Sequence, residues 1–65
     1  MNLDLEKYTI NSNIDKAINS LNQSKQMLEH AKTAAEIENA IVFAEYALSS
    51  LDSDLHKSHE KVKTR

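Results

Sequence analysis

The chain has 65 residues, eight Lys/Arg against ten Asp/Glu for a net charge of −2, and no Cys, Gly or Pro. That length suits a single domain over 1–65. The composition excludes disulfides, Cys-based zinc sites, phosphate-cradling glycine loops, nucleophile elbows and the usual turns of β-hairpins. With seven Ala and the initiator Met1 set aside, eighteen of the 26 apolar residues remain as large side chains to hold the fold, so self-association is the expected source of extra stability.

The stretch from Met1 to Lys7 is acidic and lacks a basic start followed by an apolar run, so no signal peptide is expected. Asp4 is a candidate helix cap, with Leu3 and Tyr8 placed as a hydrophobic staple. Thr9 to Asn13 are weak helix formers, and Ser12-x-x-Asp15 offers a second start. Helix 1 therefore has two candidate starts, near residue 4 and near residue 13, and residues 1–12 form an N-terminal segment whose helicity stays open. From there Ile14, Leu21 and Leu28 repeat every seven. Ile10, Ala17, Ser24 and Ala31 lie beside them and Ile18 widens the stripe, which predicts helix over about 13–32.

A break follows. Continuing the first register places core positions at Ala35, Val42 and Ser49, yet the second apolar seam runs one residue earlier, through Ala34, Ile41 and Leu48. A shift of one residue is neither a stutter nor a stammer, so two helices are more economical than one continuous coiled coil. Thr33-Ala34-Ala35-Glu36 reads as a capping box in which the Glu36 carboxylate reaches back to the Thr33 amide. The missing Gly after Lys32 implies a turn that is either tight or frayed.

Helix 2 is expected over 34–62, capped by Thr33. Its heptad has Ile41, Leu48, Leu55 and Val62 at one core position and Ile37, Ala44, Leu51 and Ser58 at the other. At about 29 residues it spans roughly 43 Å, leaving 63–65 as a tail. Acids gather at the start of each helix and bases near its end, so folding back at Thr33 places opposite charges side by side. The expected fold is all-α: an antiparallel two-helix hairpin, dimerising into a four-helix bundle. Its expected core is Ile14, Leu21, Leu28, Ile37, Ile41, Ala44, Leu48, Leu51 and Leu55.

Val42, Phe43 and Tyr46 fall away from that seam. With Ala40 and Ala47, small enough to let another helix approach, they form the candidate partner or dimer interface. Three readings are open for these residues, of which buried aromatics of a homodimeric four-helix bundle is the plainest; the others are a docking surface for a different protein and contact with the N-terminal segment of the same chain. His56 and His59, three apart with Asp52 and Glu60 nearby, have metal-ligand spacing but read as solvated helix residues, so no metal or cofactor is expected. His30 is expected to serve the end of helix 1. The pattern of di-iron bundles is absent, because no Glu stands three residues before a His. Ser58 and His59 are neighbours about 100° apart on a helix and form no catalytic dyad.

The basic tail (Lys57, Lys61, Lys63, Arg65) keeps a small dimeric RNA- or DNA-binding hairpin as an alternative, although the net acidity argues against it. No apolar run exceeds five residues, Ala40 to Ala44, so no membrane span is expected. The expected function is that of a small, cytoplasmic, non-enzymatic regulator or adaptor that binds another protein through an apolar and aromatic helix face. The size and the Asn/Lys-rich composition suit a bacterial or phage protein. A purely structural homodimer is the competing reading.

Overall fold

The computed structural model describes residues 3–63, which form two α-helices, α1 (Leu3–His30) and α2 (Ala34–Lys63), joined by residues 31–33. A single rod of that many residues would extend roughly 90 Å. The Cα trace instead measures 49 × 16 × 7 Å, the length of one helix and the thickness of one layer. The chain is an all-α hairpin, not a continuous coiled coil. Met1, Asn2, Thr64 and Arg65 lie outside the described residues, so the predicted tail is seen only as Lys63, which belongs to α2.

The first helix begins ten residues earlier than the later candidate start. Asp4 therefore sits inside the first turn as a dipole-favourable acid rather than as a cap, and Leu3 and Tyr8 are both exposed, so no staple forms. Thr9 to Asn13 do not interrupt the helix. Low propensity costs a few tenths of a kcal/mol per residue, and Thr9, Ile10, Ser12 and Asn13 are half-buried, so packing on α2 outweighs it.

The turn is built without a left-handed residue among those described. At the end of α1 the Ala31 amide bonds the Leu28 carbonyl at 3.2 Å, a 3₁₀-type closure. His30 Nδ1 donates to the Gln26 carbonyl at 2.8 Å and satisfies one of the last acceptors. Thr33 caps α2 as expected. Its carbonyl accepts the Ile37 amide at 3.1 Å and its Oγ1 accepts the Glu36 amide at 3.2 Å. The reciprocal half of the box differs: Glu36 Oε1 takes the Lys32 amide at 3.1 Å and the Thr33 hydroxyl at 3.2 Å. That carboxylate therefore ties the cap to the residue before it, and α1 ends at His30 rather than at Lys32.

The seam between the helices departs most from the expected core. Its buried residues are Ala17 and Ser24 on α1 and Ala40, Ala47 and Ser58 on α2, with Ala40 only 3% exposed. Ser24 Oγ donates to the Ala40 carbonyl across the seam at 2.7 Å, a contact that requires the two backbones to approach closely. Small side chains allow that approach, as they do wherever helices pack tightly. Around them sit half-buried Ile10, Asn13, Ser20 and Met27 on α1 and Ala44, Leu51 and Asp54 on α2. In heptad terms each helix is turned by one position, about 50°, away from its large apolar residues.

The large residues expected in the core are consequently on the surface. Ile14, Leu28, Ile37, Ile41 and Leu48 are exposed, Ile41 and Leu48 by 52% and 53%, while Leu21, Ala44, Leu51 and Leu55 are half-buried. A three-residue turn leaves the helices little freedom in which faces they bring together. One neighbour also cannot cover a stripe of large side chains on both helices, so the pair closes on Ala and Ser. Among the described residues no helix is long and apolar enough to cross a membrane.

Candidate functional site

The rotation gives the hairpin two unlike faces. On one, Leu21 and Leu28 of α1 stand beside Ile41 and Ala44 of α2 above a floor of Ser24 and Ala40, enclosing a shallow depression of about 280 Å³. Ile14 continues this stripe along α1, and Leu48 and Leu55 continue it along α2, because steps of seven return to the same side of a helix in a paired coil. Lys25 borders the depression on the α1 side. On the α2 side Glu38, Glu45 and Asp52 follow the stripe at seven-residue intervals, all exposed.

The opposite face is mostly polar. Phe43 and Tyr46 of α2 meet Asn13, Lys16 and Ser20 of α1 around a depression of about 150 Å³, with Ser50 and Asp54 at one end. Tyr46 is 77% exposed and Phe43 is half-buried, so the ring of Phe43 leans on the seam while that of Tyr46 faces solvent. Nearer the turn, Met27, His30, Glu36 and Asn39 line a third hollow.

Two aromatics of the expected interface are thus brought together on one surface, and the rest of that set is divided. Ala40 and Ala47 do let another helix approach closely, but that helix is α1 of the same chain, and both are buried in the seam. Val42 is exposed and does not line the Phe43–Tyr46 groove, since one residue turns an α-helix by about 100°. His56 and His59 are exposed, and among the described residues no group of three or more His, Asp or Glu side chains converges as a metal site. In the basic end of α2, Lys57 and Lys61 project to one side and Lys63 to another, as the helical period requires. Arg65, the fourth base of that tail, is outside the described residues.

The surface that the heptad reading missed is the exposed apolar stripe itself. A signal for it was present: Ala17 and Ser24 repeat by seven, as do Ala40 and Ala47. Such spacing of small residues marks a close-packed seam as well as a spacer between faces. No family model, curated protein or solved structure matches this chain.

Proposed function

We propose that this protein is a non-enzymatic helical interaction protein, a small regulator or adaptor that binds another protein through the outer surface of its hairpin and acts by occluding or recruiting it. The observation that carries the reading is the way the hairpin closes. It consumes Ala and Ser in its own seam and leaves Tyr46, Val42 and most of its large aliphatic side chains exposed, with Phe43 half-buried beside them. The Phe43–Tyr46 groove is the proposed docking site for a different protein, with the aromatics as anchors and Lys16, Ser50 and Asp54 as a polar rim. A cytoplasmic location goes with this reading.

A photo-crosslinking residue placed at Tyr46, with Asn19 on the exposed outer side of α1 as control, tests the proposal in the cell that makes the protein. Adducts of defined mass with a second protein, at position 46 and not at 19, are expected. Adducts removed by nuclease would instead favour the nucleic-acid reading, in which binding to phosphates falls steeply with salt. Adducts containing only this chain would reduce the groove to part of a structural homodimer.

A further inference from the structure

We infer that the apolar face is covered by a second copy of this chain, in a four-helix bundle whose two-fold axis runs along the hairpin. Both turns then lie at the same end, and α1 of each copy packs beside α2 of the other. This goes beyond docking of a different protein and does not depend on it, because the Phe43–Tyr46 groove lies on the other face.

Area comes first. The chain exposes 5242 Å², whereas a compact monomer of 7.4 kDa exposes about 4,200 Å². The excess, roughly 1,000 Å², matches what one partner contributes to an ordinary stable interface, about 800 Å². Much of it is apolar: Ile14, Leu21, Leu28, Ile41, Leu48 and Leu55, with their neighbours along the stripe, leave on the order of 500 Å² of side chain in water, a large patch for so small a monomer. A face that is symmetric in character across both helices suits a copy of itself, since a two-fold interface brings the same patch from each subunit together.

Charge then selects the arrangement. The Ser24–Ala40 bond sets the register of the hairpin. Counting outward from it, Lys25 is level with Asn39, Ile18 with Tyr46, and Asn11 with Ser53. Lys25, Ile18 and Asn11 form the outer edge of the stripe on α1, and Glu38, Glu45 and Asp52 form the outer edge on α2. A two-fold axis along the bundle preserves height. It sets Lys25 of one copy within one residue of the level of Glu38 in the other, and likewise Ile18 against Glu45 and Asn11 against Asp52. No like charges meet along these edges. The alternative, a two-fold axis across the helices, packs α2 antiparallel to its own copy, and full overlap then places Glu45 opposite Asp52 twice. Electrostatic complementarity of this kind specifies register and orientation more than it adds affinity.

The test begins with mass by light scattering from about 1 to 200 µM, where a rise from 7.4 kDa to twice that value is expected and a monomer throughout overturns the inference. Because the chain has no Cys, Lys25→Cys and Glu38→Cys each supply a single thiol at an exposed edge that does not threaten folding. Mixed and oxidised, these two are expected to give a covalent heterodimer, while either alone gives little. A mixture of Glu45→Cys and Asp52→Cys that cross-links in their place overturns the arrangement. Lys25→Glu is expected to weaken the dimer about fivefold, and Lys25→Glu/Glu38→Lys to restore it. Failure of the double swap to restore it also counts against the lengthwise axis.

Discussion

Ala40→Leu against Ile41→Ala separates the observed seam from the one that heptad spacing suggests. If Ile41 were the core residue and Ala40 an outer one, the leucine would be harmless and the truncation would cost about 2–5 kcal/mol. The structure reverses this order. Ala40 is 3% exposed and its carbonyl accepts the Ser24 hydroxyl at 2.7 Å, so an added isopropyl group must force the helices apart. Overpacking costs about 1–3 kcal/mol, and the severed hydrogen bond, with a hydroxyl left in the seam, adds about 1 kcal/mol. The total is about 3 kcal/mol, a fall in Tm on the order of 15 °C for a domain of this size. Ile41 is already half exposed in the hairpin, so its removal there costs about 1 kcal/mol. Thermal and urea unfolding followed by circular dichroism, at a concentration where light scattering shows monomer, measures both. Ala40→Leu as stable as wild type beside an Ile41→Ala that loses 2 kcal/mol or more would refute the seam.

Thr33→Ala removes the acceptor for the Glu36 amide and should cost about 1 kcal/mol in urea unfolding; a cost near zero would mean that the Glu36 carboxylate holds the turn alone. Ser24→Ala should be mild, under about 1 kcal/mol, because alanine fits the same space and leaves no unpaired hydroxyl; an increase in mobility of the whole hairpin by hydrogen exchange would contradict that. Glu6 Oε1 is buried with no hydrogen-bond partner among the described residues, so Glu6→Met should raise stability by about 1 kcal/mol, readable as a higher urea midpoint at unchanged slope. Tyr46→Ser, at a ring that is mostly solvated, should leave unfolding within about 0.5 kcal/mol of wild type while abolishing the adduct formed from a cross-linking residue at Ser50 of the same groove.

The amino-acid sequence by itself determined that the chain is helical, that it breaks at Thr33 and that its halves run antiparallel. Each of these rests on interactions between near neighbours or on the sign of charge along the chain. The Thr33–Glu36 cap, the one-residue slip of the apolar register and the acid-to-base order of each helix are all local. The aromatics Phe43 and Tyr46 were also legible as surplus to any single seam. Tertiary structure alone decided where α1 starts and which faces meet. Thr9 to Asn13 are poor helix formers, and only contact with α2 makes them helical. Hydrophobic periodicity locates an apolar face but does not say what covers it. Ile14, Leu28, Ile41 and Leu48 had the strongest pattern and went to the outside, while Ala17, Ser24, Ala40 and Ala47 closed the hairpin. The physical reason is distance: two helices joined by three residues gain most from close backbone approach, which only small side chains permit, and most of the large ones are left outside the seam.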